Sequence, residues 1–177
     1  MSTEVKFPVE GGCDCKQVRY RVKTAPLIVH CCHCTWCQRE TGSAFAINAV
    51  IESDRFELLT GKTETINTPS ESGTGQEIVR CSTCRVALWS FYANAGKLTS
   101  FVRVGTLDDP NNLPPDVHIF TSTKQKWVVI PPGVPVAEIF YKLEETWSKE
   151  SLERMEVLKP AMEKHTEELA KRGLKTS

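Results

Sequence analysis

The chain has 177 residues, 40% of them hydrophobic and 25% charged, which is the length and composition of one globular domain with its own core. Lysine plus arginine equals aspartate plus glutamate at 22 each, and this balance argues against a nucleic-acid partner bound through a generally basic surface. The sequence has neither a secretory signal pattern nor an apolar run near the roughly 20 residues that cross a bilayer, so we expect a cytoplasmic protein with no membrane partner.

Residues 11–130 have the pattern of β structure. Val18, Tyr20 and Val22 alternate with Arg19 and Arg21, which predicts a strand with one buried face. The further strand candidates, in chain order, are residues 27–29, 44–51, 54–61, 78–79, 86–92, 98–104, 117–120 and 127–130. Turn residues separate these candidates, above all in loop 68–76. About nine short strands with frequent turns predict a mainly β fold, as a sandwich or a folded sheet, and not a βαβ repeat.

Beyond residue 135 the composition shifts to glutamate, lysine, leucine and methionine. Apolar residues recur there at helical spacing, namely Leu152, Met155, Leu158, Met162 and Leu169. We therefore predict a β domain over residues 1–135 and a C-terminal helical extension over residues 136–177, with one helix kinked at Pro160 or two helices. Lys171-Arg172-Gly173 is the predicted helix stop. The extension either packs on its own sheet or forms the contact of a homo-oligomer, and the sequence leaves both open.

Eight cysteines dominate the interpretation of function. Residues 30–37 contain four of them and two of the chain's four histidines, and the pairs Cys13-x-Cys15 and Cys81-x-x-Cys84 lie on either side. In a reducing compartment such a set favours metal binding over its alternatives, a disulfide framework or unconnected thiols.

The spacing predicts two zinc ions per chain. Zinc prefers four soft ligands in a tetrahedron, and two cysteine pairs from distant parts of the chain supply four thiolates, which closes a structural site. Its predicted ligands are Cys13, Cys15, Cys81 and Cys84. The second set supplies only three thiolates, Cys32, Cys34 and Cys37, and leaves a fourth position open. Open zinc sites are where zinc performs chemistry.

These motifs resemble those of the glutathione-dependent formaldehyde-activating enzyme family. The residues that carry the resemblance are Gly12-Cys13-x-Cys15-x-x-Val18-Arg19-Tyr20, Cys32-His33-Cys34-x-x-Cys37-Gln38-Arg39-x-x-Gly42-Ser43-Ala44-Phe45-Ala46, Cys81-x-x-Cys84, Gly105-Thr106-Leu107-Asp108-Asp109-Pro110 and His118-Ile119-Phe120-Thr121-Ser122. The resemblance covers about residues 11–130. It implies a β-tent fold of folded antiparallel sheets around a structural zinc, the same division of the cysteines between a structural and a reactive zinc, and condensation of glutathione with formaldehyde to S-(hydroxymethyl)glutathione. Relatives such as centromere protein V act as binding proteins, so the resemblance implies the fold more firmly than the activity.

The chain departs from this family's pattern at two positions. The glycine that usually follows the second cysteine of each zinc knuckle is replaced by Lys16 and Arg85. A residue with a side chain costs about 1 kcal/mol at the positive φ expected there. Either these cations offset the negative charge of the four-cysteine site, or they are ordinary solvated residues. Cys31 is predicted to be a buried thiol on the face opposite Cys32.

Four further residues are candidates for the reaction. His118 is the predicted proton donor, since alternation turns His33 away from the open zinc site, although a lone histidine is more often a core residue. Arg39 and Lys124 are predicted to receive a carboxylate of a glutathione-like thiol, with solvated surface positions as the alternative. Trp36 is predicted to wall the substrate pocket, or to pack as an ordinary tryptophan.

Three functions compete on the sequence. The first is a zinc-dependent enzyme of carbon–sulfur lyase type that acts on thiol–aldehyde adducts, with glutathione and formaldehyde as the default partners. The second is a noncatalytic zinc module that binds a protein or other partner. The third is redox chemistry at Cys31 and Cys32, which resembles that of sulfoxide reductases of related fold but lacks an obvious resolving pair of cysteines.

Overall fold

Two β-sheets form the body of the protein in this computed structural model, which describes residues 5–71, 73 and 75–171. The smaller sheet joins β1 (Val9–Gly12), β2 (Arg19–Val22) and β5 (Phe56–Thr60) in that order. The larger sheet joins, in order, β10 (Val117–Ile119), β3 (Ile28–Cys32), β4 (Ala46–Glu52), β9 (Thr99–Arg103), β8 (Ala87–Tyr92), β7 (Gln76–Cys81) and β6 (Thr63–Thr68).

The helices are few until the C-terminal part of the chain. They are α1 (Thr35–Thr41), α2 (Leu143–Thr146) and α3 (Lys149–Lys171), with single 3₁₀ turns at Ser53–Arg55, Gly96–Leu98, Val104–Thr106, Pro110–Asn112 and Thr121–Thr123. The mainly β fold with a C-terminal helix that the sequence predicts is confirmed. In the described part of the chain no helix has the length and hydropathy that a bilayer crossing requires.

The alternation in β2 works as the sequence predicts. Tyr20 and Val22 are fully buried, whereas Arg19 and Arg21 are only partly covered. Tyr20 packs against Phe56 and lies edge-on to Trp89, so β2 joins the smaller sheet to the larger one through a shared core.

One edge of the larger sheet departs from the expected antiparallel pairing. Strand β10 runs parallel to β3, with His118 opposite Cys31 and Ile119 opposite Cys32. On its other side β3 pairs antiparallel with β4, which places Ile47 beside Cys31 and Ala46 beside Cys32. The sheet is therefore mixed, and the cysteine-rich end of β3 is enclosed between two strands.

One predicted strand is wrong, and strands β1 and β6 are missing from the prediction made on the sequence. The candidate strand 127–130 is an irregular turn in which Trp127 is 72% and Val129 is 87% exposed, because this segment has no partner strand. Strand β6 was not predicted, because Ile66 is its only large apolar residue and is itself 42% exposed. An outer strand of this kind is held by backbone pairing and carries little hydrophobic signal.

The C-terminal extension packs against the β domain. The backbone of residues 135–139 bonds along β10: His118 donates to the carbonyl of Pro135, and Ala137 donates to the carbonyl of His118, both at 2.9 Å. The chain is therefore paired with the sheet where it crosses the predicted boundary at residue 135. A single helix, α3, runs through Pro160. The predicted stop at 171–173 falls largely on residues outside the described range.

Candidate metal centres

The sulfur atoms of Cys13, Cys15, Cys81 and Cys84 converge within 4.8 Å of one another. The Sγ atoms of Cys13 and Cys15 are 3.3 Å apart, and those of Cys15 and Cys81 are 3.7 Å apart. Ligand sulfurs of a tetrahedral zinc with 2.3 Å bonds lie roughly 3.8 Å from one another, so this group fits the ion. None of the chain's eight cysteines forms a disulfide.

Two backbone turns of matching geometry build this cluster. In the first, the amide of Cys13 donates to the carbonyl of Val18 and the amide of Val18 donates to Cys13 Sγ, at 3.1 and 3.2 Å. In the second, the amide of Cys81 donates to the carbonyl of Val86 at 3.1 Å. A Cβ at Gly12 would lie 2.2 Å from the Val18 carbonyl oxygen, which explains the glycine before Cys13.

Amide donors also favour the ionised form of these sulfurs. The hydrogen bonds that Cys81 accepts from the backbone amides of Cys84 and Thr83 lower the pKa of Cys81 to about 6. A thiolate is the form that ligates zinc. The turn thus prepares the sulfur for an ion by the same contacts that shape its backbone.

The two substituted glycine positions adopt the predicted backbone conformation, with φ of 64° at Lys16 and 65° at Arg85. Each amide closes its turn, Lys16 onto the carbonyl of Cys13 and Arg85 onto that of Cys81. The guanidinium of Arg85 pairs with the carboxylate of Glu64 on β6, which raises the pKa of Arg85. Charge compensation of the zinc site by these two cations stays a prediction.

The second cluster is built by the end of β3 and the start of α1. Cys34 caps α1 in an extended conformation, and its Sγ accepts a hydrogen bond from the amide of Cys37 at 3.3 Å. Cys32 belongs to β3, and the three sulfur atoms lie within 4.8 Å of one another in a buried position. Hydrogen bonds from Cys32 and then Cys37 lower the pKa of Cys34, so the cluster favours a thiolate at its centre.

A cavity of about 400 Å³, here called the triad cavity, adjoins Cys32, Cys34 and Cys37. The β domain contributes His30, Trp36, Asn48, Val50, Tyr92 and Phe101 to its wall. The C-terminal extension contributes Phe140, Leu143, Trp147, Met155 and Met162. Among the described residues, the members of the four-cysteine cluster do not line this cavity. Three sulfurs beside a cavity and four sulfurs facing one another are the arrangements that an open and a closed zinc site require.

Sequence reasoning missed several polar residues near the triad. Asn48 lines the cavity, and its Oδ1 accepts a hydrogen bond of 2.8 Å from the buried guanidinium of Arg103. The hydrogen bond with Cys32 lowers the pKa of Cys37, but the hydrogen bond with Cys34 and burial outweigh it and raise the pKa to about 11. The positive charge of Arg103 is a weaker effect that lowers this pKa. A single asparagine within the apolar strand β4 is a signal that could have drawn attention to Asn48.

His30 is the second polar residue that the sequence did not single out. Its Nε2 contacts the hydroxyl of Tyr141, which accepts a hydrogen bond of 2.8 Å from Trp147 Nε1. Burial lowers the pKa of His30 to about 4, so its imidazole is neutral at pH 7. This chain of contacts ties β3 to the C-terminal extension across 111 residues of sequence.

His118 lies on the other face of β3 from Cys32. Its Nδ1 is 2.8 Å from His33 Nε2, which is 3.5 Å from Cys31 Sγ, and all three side chains are buried. These atoms lie within 4.8 Å of one another and could in principle hold a metal ion. The nitrogens of two histidines on a tetrahedral zinc stand roughly 3.3 Å apart, so the observed separation fits a direct hydrogen bond better.

The remaining predicted residues lie apart from one another. Trp36 lines the triad cavity. Arg39 lines a separate surface depression of about 480 Å³ together with Trp127. Lys124 Nζ donates to the backbone carbonyls of Val128 at 2.6 Å and Gln125 at 3.3 Å. The structure thus brings Trp36, but not Arg39, Lys124 or His118, to the wall beside the three sulfurs.

Comparison with known proteins agrees with the motifs. Residues 8–123 match the family model described as glutathione-dependent formaldehyde-activating enzyme. No curated protein matches the chain significantly. A crystal structure of a Rhodobacter sphaeroides protein, a structural genomics target, resembles it with a TM-score of 0.44 and 20% identity, and the match covers 58% of this chain and 93% of that one.

Proposed function

The chain belongs to the glutathione-dependent formaldehyde-activating enzyme family, and we propose that it is a zinc-dependent enzyme of carbon–sulfur lyase type that forms and cleaves thiol–aldehyde adducts. One observation carries the proposal: three cysteine sulfurs converge beside a cavity, whereas the other four converge on one another. Glutathione and formaldehyde are the default pair that the family implies, and we place the reaction in the cytoplasm.

The two sulfur clusters divide the work between them. Cys13, Cys15, Cys81 and Cys84 would hold a structural zinc that joins the N-terminal turn to the start of the β7–β8 turn. Cys32, Cys34 and Cys37 would hold the second ion, and their donor set fits it because all are buried and none is engaged in a disulfide. A zinc ion bound there would polarise the aldehyde carbonyl and stabilise negative charge on its oxygen.

The chain's own residues supply the rest of the site. The thiol sulfur bonds to the carbonyl carbon, the π electrons of the carbonyl pass to its oxygen, and the proton lost by sulfur ends on that oxygen. Asn48 is an uncharged donor on the cavity wall, and Arg103 occupies its Oδ1, which leaves the side-chain NH₂ group of Asn48 for the developing oxygen. We assign this task to Asn48 in preference to His118, which contacts His33 on the other face of β3.

The charge of the triad has a partner inside the protein. Three thiolates and one divalent zinc carry a net charge of about −1. Arg103 brings one buried positive charge close to Cys37. This arrangement reduces the cost of burying the charged site.

A noncatalytic zinc module that binds a partner is the second candidate. The C-terminal extension exposes large apolar side chains, with Val136 at 59%, Ile139 at 63% and Val157 at 80%. Such residues suit a contact with another protein or with a second copy of this chain.

Turnover separates the two candidates. The zinc-loaded protein is incubated with a thiol and an aldehyde, and adduct formation is followed by NMR against the uncatalysed rate. We expect acceleration that Cys34→Ser abolishes while the folded structure and one zinc remain. No acceleration by the wild type with both zinc sites filled would reject the enzyme in favour of the binding module. Full acceleration in Cys34→Ser would reject the three-cysteine cluster as the site of the reaction.

A further inference from the structure

The wall of the triad cavity is mainly apolar. Phe101 and Val50 line it from the sheet, and Phe140, Trp147 and Met155 line it from the C-terminal extension. Apolar walls with a few placed polar groups are typical of sites for small organic ligands. The polar residues on the sheet side are His30, Asn48, Tyr92 and Thr99.

Apart from the zinc proposed at the three sulfurs, the cavity offers a carboxylate no side-chain cation among the described residues. Among the described residues no lysine or arginine lines it, and the carboxylate on its wall is that of the exposed Glu71. Glutathione carries two carboxylates, and a buried carboxylate without a partner is strongly disfavoured. Arg39 and Lys124, the predicted carboxylate receptors, lie outside this wall. The part of a substrate that extends from the open zinc position into the apolar part of the cavity is therefore uncharged.

The cavity is also larger than the simplest aldehyde needs. Its volume is about 400 Å³. Formaldehyde is little larger than a water molecule, which occupies roughly 30 Å³ of the liquid. A ring or an alkyl chain would fill far more of the space and would remove its own apolar surface from water.

The segment that closes this space lies outside the matched family region. The family match ends at residue 123, whereas Phe140, Trp147 and Met155 follow it. Two contacts hold the segment in place, Arg154 with Glu52 and Tyr141 with His30. These contacts anchor the extension on the neighbouring strands β4 and β3.

We propose that the triad cavity binds an uncharged aromatic or alkyl substituent of the thiol–aldehyde adduct, which the C-terminal extension selects. This inference rests on the proposed function for the adduct itself. The substituent belongs either to the aldehyde or to the thiol, and the bond that forms is in both cases the one between sulfur and the carbonyl carbon, with the proton passing from sulfur to oxygen.

Isothermal titration calorimetry on the zinc-loaded protein tests the inference with matched probes. Benzaldehyde is compared with 4-carboxybenzaldehyde, and benzyl mercaptan with glutathione. We expect one of the neutral probes to bind at least tenfold more tightly than its charged counterpart, and the one that does so identifies the source of the substituent. Equal affinity within both pairs, tighter binding of the charged members, or no binding of any probe would overturn the inference.

Variants on α3 test the role of the extension. Met155→Ala removes a side chain of the cavity wall and should lower the affinity for the preferred neutral probe several-fold. Val157→Ala, at an 80% exposed position, should leave this affinity unchanged. Met162→Lys places a cation at the partly buried wall and should reduce the ratio of the affinity for the neutral probe to the affinity for its charged counterpart. Identical affinities in all three variants would contradict a wall formed by the extension.

Turnover measured in parallel keeps the two proposals distinguishable. Acceleration with glutathione and formaldehyde, but no preference for neutral probes, overturns the inference and leaves the enzyme. Tight binding of a neutral probe without acceleration of any thiol–aldehyde pair overturns the proposed reaction. The inference that the cavity binds uncharged aromatic or alkyl groups then still holds.

Discussion

The guanidinium of Arg154 on α3 donates to both carboxylate oxygens of Glu52 on β4, with Nε to Oε1 at 2.8 Å and Nη2 to Oε2 at 2.5 Å. The two residues are 102 positions apart, and their side chains are only 11% and 6% exposed. The pair therefore fixes the C-terminal helix against the sheet that carries the triad cavity. A bidentate pair of this kind gives geometric definition as well as energy.

Arg154→Ala should lower the free energy of unfolding by about 3 kcal/mol, because it leaves the Glu52 carboxylate buried beside Arg55 alone. Denaturant unfolding of the zinc-loaded protein measures this. Lys159→Ala is the matched control, since it breaks an exposed ion pair with Glu156 on the same helix and should change the value by about 0.5 kcal/mol or less. Equal effects of both substitutions would contradict the anchoring role of Arg154.

The pH dependence of the pair has a definite sign. Burial is the largest single effect and acts to raise the pKa of Glu52, but the hydrogen bonds from Arg154, a backbone hydrogen bond and the charges of Arg154 and Arg55 together lower the pKa below its usual value. The stabilisation is therefore complete above the unfolded pKa of about 4.3 and is lost as the pH falls through the lower folded value. In Arg154→Ala the burial remains, so the pKa should rise above that of an ordinary glutamate. NMR titration of the Glu52 carboxyl measures the lowered pKa in the wild type and the raised pKa in Arg154→Ala. The same pKa in both proteins would show that Arg154 does not lower the pKa of Glu52.

The two clusters should differ in how they hold zinc. We expect two zinc ions per chain, one of which a chelator removes first because it has three protein ligands and an open position. Cys37→Ser should leave one ion and a folded protein, whereas Cys84→Ser should destabilise the fold. Elemental analysis and circular dichroism after graded chelation measure this. Simultaneous loss of both ions with unfolding would contradict the division.

The His33–His118 contact should hold no ion of its own. His118→Asn keeps a hydrogen-bonding group beside His33 but removes the imidazole, and we expect two zinc ions per chain both before and after the substitution. Because His118 does not line the triad cavity, the variant should also keep its affinity for neutral probes. A third zinc in the wild type that His118→Asn removes would show that Cys31, His33 and His118 form a metal site.

Substitutions of Lys16 test whether the cations at the two usual glycine positions compensate the charge of the zinc site or are ordinary solvated residues. Its φ of 64° is a conformation that glycine adopts without strain, so Lys16→Gly should stabilise the zinc-loaded protein by up to about 1 kcal/mol. Lys16→Gln keeps the strain and removes the charge. If the charge of Lys16 compensates the zinc site, Lys16→Gln should instead release zinc more readily at low ionic strength. Equal zinc affinity in Lys16→Gln and the wild type would leave strain as the only effect.

The sequence predicts what is encoded locally. The spacing of the cysteines is enough to separate the closed cluster from the open one, because each knuckle is a single short turn. The positive φ at Lys16 and Arg85 is likewise a property of the turn itself. The buried face of β2 follows from alternation over five residues.

Contacts between distant residues are the part that the sequence does not predict. Arg154 and Glu52 carry no local sign of their pairing, and the residues around His118 do not indicate the parallel register of β10 that places His118 opposite Cys31. The triad cavity depends on a helix far along the chain packing over β3 and β4, so neither its volume nor its apolar wall can be derived from the cysteine motif.

Zinc X-ray absorption spectroscopy on the fully loaded protein, before and after addition of a thiol substrate, tests the central claim most directly. Four sulfurs on one ion and three on the other give an average of about 3.5 sulfur neighbours per zinc. A thiol added without aldehyde is free to take the open position that the aldehyde oxygen would otherwise occupy, and this should raise the average to about 4. A single zinc with four sulfur neighbours, unchanged by the thiol, would contradict the account.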